Sequence, residues 1–433
     1  MQPIAGRPFW VVDFDQDGRP LGDDGLAQSP QRGQVRDLVV LCHGWNNSRE
    51  GALGLYADLF GRMAPLIAPD RSVGFVGVLW PSLLLPDDVP AATGPVMAGS
   101  AGAGGGAQAS GAAPTPVPPG PAASGAAIAE ALAPAFPGRE DTLAEIGALL
   151  DRAPEDGAEL RRCHDLVVSL VARPDAGKDE DTGELALLDA TPREAFETMA
   201  GLARPDVGDA QGTNPFAGLW RGAKEVLRTL SYYEMKDRAG VVGASGLGPL
   251  VAGLARPDLR VHLAGHSFGA RLVSFALTAL EPATSPVASL TLVQGAFSHF
   301  AFSATAPVAA GAGRLAGHVD RVHGPLVSTH TPNDRAVGWW YPNASVLARQ
   351  DNQASTSALY RWGAVGHDGY QQVAAAETRV VPTRTPYGFP AGRFTNVEVS
   401  DVVRHDLSWF SGAHSDIRHD EIAWLLVSAA GLA

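Results

Sequence analysis

The chain predicts an α/β fold with a mostly parallel central sheet and helices on both faces. Three observations lead there. Short, continuous apolar runs such as Leu38–Cys42, Val73–Leu79 and Leu290–Val293 have the composition of strands buried on both faces. Segments with helical periodicity separate them, as in βαβ units. At Arg260–Leu280 an apolar run passes through Gly265-His266-Ser267-Phe268-Gly269 into a helical pattern carried by Leu272, Phe275, Ala276, Ala279 and Leu280.

In chain order, Phe9–Phe14 alternates and then meets the turn cluster Asp15–Gly18, which reads as an opening strand or hairpin. The strand Leu38–Cys42 follows, then a helix over 50–67 and the strand Val73–Leu79, closed by Trp80-Pro81. Residues 97–125 are almost entirely Ala, Gly, Ser and Pro. Such a stretch buries too little apolar surface to offset its ordering entropy and reads as a flexible tract. Gly102–Ala107 within it is no dinucleotide loop, since it follows no strand.

Thr142-Leu-Ala-Glu145 and Thr191-Pro-Arg-Glu194 are capping-box patterns, so 140–172 and 192–203 read as helical. A longer helix over 216–238 carries Trp220, Val226, Leu227 and Leu230 on one side. Strands at Pro325–His330 and Phe394–Val399 and a terminal helix through Asp420–Val427 complete the chain. The division that results is a core of 1–82 and 216–433 interrupted by an insertion at 83–215, with 97–125 flexible and 140–203 helical.

Composition narrows the function classes. A formal charge of −13 argues against the basic face that nucleic acid needs. The chain carries two cysteines, Cys42 in a predicted strand and Cys163 in a predicted helix, which fits a reducing compartment better than a disulfide framework. The N-terminus lacks the apolar core of a signal peptide, and 288–312, the nearest approach to a membrane span, is interrupted by Gln294, His299 and glycines. A cytoplasmic location is the expectation.

The chemistry centres on Ser267. A G-x-S-x-G turn between strand and helix holds its serine in a strained conformation with the hydroxyl outside the sheet. Gly265 and Gly269 let strand and helix approach, and the helix N-terminus favours negative charge there. A serine hydroxyl needs a base, a group that orients the base, and donors for a developing oxyanion. For the donors, His43-Gly44-Trp45 follows an early buried strand. The Trp45 amide pairs with that of Phe268, while Gly44 makes the turn and His43 braces the loop.

Asp334, just past the strand 325–330, is the favoured acid. Asp320 falls at the wrong edge of the sheet, and Asp351 and Asp368 lie in less ordered surroundings. His414, in the small-residue loop Ser411–Asp416, is the favoured base, with an exposed approach to the serine. His405 is the main rival, and His419 suits a surface or capping role.

A catalytic metal is not expected. His414 and His419 are five apart, not four as in H-E-x-x-H, and no Cys-x-x-Cys occurs. Trp339-Trp340-Tyr341 offers a substrate platform or core packing, and Phe297, Phe300 and Phe302 offer an acyl pocket.

Together Leu38–Asn47, Val78–Ser82, the elbow His262–Ala270 and the loops of Asp334 and His414 resemble the α/β-hydrolase superfamily of serine esterases and lipases. The order Ser267, Asp334, His414 is the superfamily's order. The resemblance covers the core and not 83–215. Further glycines of the HGGG-type lipases are absent after Gly44. It implies the α/β-hydrolase fold, hydrolysis of a small-molecule ester and no cofactor. Amidase, thioesterase or acyl-transfer chemistry uses the same residues. A different class of reading is a non-catalytic scaffold engaging a protein partner through 83–215.

Overall fold

The computed structural model describes residues 3–22, 25–26, 29, 33–45, 47–82, 123–173, 184–201, 215–306, 311–337, 363–405 and 412–433. Among the described residues, eight strands form one sheet: β1 Phe9–Asp13, β2 Asp37–Cys42, β3 Val73–Leu79, β4 Arg260–His266, β5 Val287–Val293, β6 Leu326–His330, β7 Ala375–Arg379 and β8 Phe394–Glu398. Their order is β1-β3-β2-β4-β5-β6-β8-β7, and every pairing is parallel. The chain is therefore α/β, and β1 is a strand of this sheet, not half of a hairpin.

This order contains a switch point. From β2 the chain runs to β3 on one side, then returns past β2 to β4 on the other. Ligand sites of open α/β sheets lie at the carboxyl ends of the strands flanking such a point. Cys42 at the end of β2 stands beside Gly265 near the end of β4, so the loops carrying Trp45 and Ser267 emerge together.

Two hydrophobic layers cover the sheet. On one face α1 (Arg49–Met63) and the C-terminal helix (Asp420–Ala429) pack Tyr56, Leu59, Phe60, Leu425 and Val427 against Val39, Leu41 and Phe75. The other face is covered by α2 Gly125–Leu132, α3 Glu140–Arg152, α4 Gly157–Ser169, α5 Glu184–Asp189, α6 Pro192–Ala200, α7 Pro215–Val242, α8 Gly248–Leu254 and α9 Phe268–Phe275. Ile128, Ile146, Cys163, Phe196 and Trp220 join Val40, Val76 and Leu263 in one continuous cluster, so the helices after β3 share the sheet's core.

Several boundaries differ from the sequence expectation for physical reasons. Thr191 forms its capping box with Glu194, with Pro192 in the first turn. Thr142 does not: α3 starts two residues earlier, where Glu140 accepts the Gly138 amide at 2.9 Å, and Thr142 lies inside the helix. The expected helix 140–172 breaks at Ala153, which ends α3 in the left-handed region (φ 42°), and Asp156 caps α4 through the Ala158 amide.

After Ser267 the α-helix ends at Phe275, and Ala276–Ala279 tighten into a 3-10 turn. Strand β7 was not expected. Ala375-Ala-Glu-Thr-Arg379 has no apolar period because it is an exposed edge strand, whose charges discourage further pairing. Both cysteines are free and buried. Among the described residues no helix is long and apolar enough to cross a membrane. The tract 97–122, Trp339-Trp340-Tyr341 and Asp351 lie outside the described residues.

Candidate active site

Ser267 joins β4 to α9 with φ 58° and ψ −123°, a conformation that costs a non-glycine residue on the order of 1–3 kcal/mol. The surrounding backbone over-determines it. The Ser267 amide donates to the Val293 carbonyl at 3.1 Å, and its own carbonyl accepts from Ala270 at 3.1 Å and Ala296 at 3.2 Å. The flanking glycines are required by close approach. A Cβ on Gly265 would stand 2.2 Å from the Gly269 carbonyl oxygen, and one on Gly269 would stand 2.2 Å from the Cys42 carbonyl oxygen.

Asp334 follows β6 and His414 follows β8, and the two meet. His414 Nδ1–H donates to Asp334 Oδ2 at 2.6 Å. A carboxylate only accepts, so this bond keeps the proton on Nδ1 and leaves the Nε2 lone pair available. Asp334 is fully buried (0% exposed), and both of its oxygens have partners. Gln294 Nε2 donates to Oδ2 at 3.0 Å and the Val337 amide to Oδ1 at 3.2 Å. Gln294 is held in turn by Thr329, whose hydroxyl donates to Oε1 at 2.8 Å, and by the Gly366 carbonyl, which accepts from Nε2 at 3.1 Å.

His414 is buried, not exposed as its small-residue loop suggested. Its carbonyl oxygen accepts from His266 Nε2–H at 2.9 Å, and the two rings lie 4.9 Å apart. The base candidate is thus fastened to the residue immediately preceding Ser267. Burial lowers the His266 pKa to about 3, so the ring stays neutral.

The Gly44 loop closes on the hydroxyl from the β2 side. A Cβ on Gly44 would stand 2.5 Å from Ser267 Cβ and 3.1 Å from Oγ. His43 braces this loop. Its amide donates to Tyr56 Oη at 3.0 Å, its carbonyl accepts from Trp80 Nε1 at 3.1 Å, and its ring stacks on Trp80 at 5.7 Å. Burial lowers its pKa to about 4. The Trp45 ring packs edge-on against Tyr232 of α7 at 5.5 Å, and Tyr232 lies 4.8 Å from Phe268. One side chain of α7 therefore touches both residues whose amides were expected to serve as donors.

The rival residues are engaged elsewhere. His405 and His419 both bond to Asp416, at 2.9 and 2.8 Å, and not to Asp334. Asp320 sits in the 3-10 turn before β6, paired with Arg321. Asp368 lies not in loose surroundings but in the short helix Val365–Asp368, between His299 at 3.0 Å and His367 at 2.8 Å. Burial raises its pKa, yet those two hydrogen bonds outweigh burial and hold it well below the usual range.

Phe297, Phe300 and Phe302 are core residues. Phe302 packs on Tyr370 and on Phe394, at the amino end of β8, away from the serine's edge of the sheet. Gln294, His266 and Tyr232 were not anticipated. A polar residue directly after the apolar strand Val287–Val293 was the available signal for Gln294. Among the described residues, the group with ligand atoms close enough for a metal ion is His405, Asp416 and His419, and it contains neither Ser267 nor Asp334 nor His414. No protein-family model, curated protein or solved structure matches this chain.

Proposed function

We propose that the chain is a serine hydrolase of the α/β-hydrolase type, cleaving carboxylic esters of small molecules without a cofactor. The observation that carries the reading is the 2.6 Å bond from His414 Nδ1–H to the buried Asp334, on a loop fastened to the residue before the strained Ser267. An imidazole held in that tautomer is a general base at Nε2.

Ser267 Oγ attacks the ester carbonyl carbon while His414 Nε2 takes the hydroxyl proton. The carbonyl oxygen becomes negative and is met by the Trp45 and Phe268 amides, each such donor contributing on the order of 10²–10³ in rate. Collapse breaks the bond to the alkoxy group, which leaves as alcohol with the proton from His414. Water then attacks the acyl-enzyme, giving its proton to the same nitrogen, and the carboxylic acid departs as Ser267 Oγ is reprotonated. Asp334 stays ionised throughout and stabilises the imidazolium. Amides and thioesters pass through the same steps, and leaving-group basicity separates them.

Ser267→Ala is expected to abolish turnover of short p-nitrophenyl esters with an unchanged circular dichroism spectrum. A fluorophosphonate probe is expected to label the wild-type chain at Ser267 alone. Undiminished turnover by the variant, or no labelling across pH 6–9, defeats the proposal and leaves the scaffold reading in its place.

A further inference from the structure

We propose that His405, Asp416 and His419 form a binding site for a divalent transition-metal ion, with zinc as the best match. The three side chains come from the exit of β8 and the approach to the C-terminal helix, and one ligand atom of each lies within 4.8 Å of the others. His405 Nδ1 stands 2.9 Å from Asp416 Oδ2, and His419 Nε2 stands 2.8 Å from Asp416 Oδ1. The two rings are nearly parallel, inclined by 23° with centroids 6.4 Å apart. Each imidazole therefore aims one nitrogen at a different oxygen of one carboxylate.

The carboxylate is set in advance. The Arg404 and His405 amides donate to Asp416 Oδ2 at 3.1 and 2.9 Å, fixing its plane. The side chains of His405 and His419 are 37% and 26% exposed, so an ion has a path from solvent.

Two imidazoles and one carboxylate suit zinc, with water as a fourth ligand and bonds of about 2.0–2.2 Å. Two such bonds span at most about 4.4 Å, so a small rotation of the rings closes the set. Calcium and magnesium are poor matches, because they call for six or more oxygens and this site offers one carboxylate. On binding, the ion replaces the two N–H protons that now point at Asp416. The proton of each ring moves to its other nitrogen, so the lone pairs that face Asp416 become available to the ion.

The ligands bracket His414 in sequence. An ion held by all three would tie residues on both sides of the proposed base to one point. That consequence rests on the hydrolase reading, whereas binding of the ion does not.

Cobalt reports the site by its visible absorption. The full-length chain carrying Ser267→Ala, stripped with a chelator, is titrated with Co²⁺ and then with Zn²⁺. One Co²⁺ per chain is expected, with a visible absorption band that Zn²⁺ displaces. Separate His405→Gln and His419→Gln substitutions in that background are each expected to weaken Co²⁺ binding at least tenfold. Absence of the band, or a Co²⁺ affinity unchanged from the parent in either variant, overturns the proposal. The Ser267→Ala background makes the result independent of whether the chain hydrolyses esters.

Discussion

The ring of His266 is tied to the main chain of His414 by a 2.9 Å bond from Nε2–H to the carbonyl oxygen. Ser267 follows His266 directly, so the serine's own strand carries the fastening for the loop that supplies the proposed base. Removing the fastening while keeping the volume tests its role. His266→Leu is expected to lower kcat on p-nitrophenyl esters 10- to 100-fold with KM little changed, since misplacement by about an ångström costs on that order. His266→Gln, which can still donate to the carbonyl, is expected to recover part of the loss. Equal kcat in the wild type and His266→Leu would show that the bond is only structural.

Asp334 accepts from Gln294 as well as from His414, both at Oδ2. The two donors have different jobs. Asp334→Asn removes the acceptor that holds the Nδ1 tautomer, and kcat is expected to fall about 10⁴-fold without loss of fold. Gln294→Leu leaves the carboxylate and the imidazole in place but strips a buried donor, so about 1–3 kcal/mol of stability should be lost, with a smaller fall in kcat. Urea unfolding and steady-state kinetics on the two variants separate the effects. Matching kinetic losses would contradict the assignment.

Gly44 leaves no room for a side chain. The Cβ of Gly44→Ala would meet Ser267 Cβ at 2.5 Å, well inside contact distance. Either the Gly44 loop or the serine must give way, and both carry the proposed chemistry. Turnover is expected to drop at least 100-fold, and fluorophosphonate labelling of Ser267 is expected to slow with it. Gly54→Ala on the exposed side of α1, where an added Cβ meets nothing within 4 Å, serves as the control and should raise stability slightly. Comparable activity in the two variants would remove the Gly44 loop from the site.

What the sequence disclosed, and what it withheld, follows from the range of each signal. The inner strands were readable because burial on both faces makes β2 and β3 apolar at nearly every position. The exposed edge strand β7 carries no such mark. Ser267 stood out because its geometry is local, fixed by Gly265 and Gly269 within one turn. His414 was separable from His405 only by which carboxylate each one meets, and Asp334 and Asp416 are distant from each other along the chain. Gln294 and Tyr232 touch the site through contacts that no spacing encodes. The burial of His414 likewise depends on neighbours contributed by other strands.

Stability is expected to fall as the solution is acidified below about pH 6.5. His43 and His266 are buried and neutral, with pKa values lowered to about 4 and about 3. In the unfolded chain both protonate near pH 6.5. Between that value and the folded pKa, the unfolded state holds the extra proton at each site, so unfolding becomes easier as pH drops. Each group contributes a slope of about 1.4 kcal/mol per pH unit across its window. His262 is lowered by burial too and adds to the trend. His367, raised mainly by its hydrogen bond to Asp368, acts in the opposite sense, but above pH 6.5. Urea unfolding at pH 7.0, 6.0 and 5.0 measures the sum. His266→Gln should flatten the slope by one group's share, and a free energy constant from pH 7.0 to 5.0 would mean that neither imidazole is buried without charge.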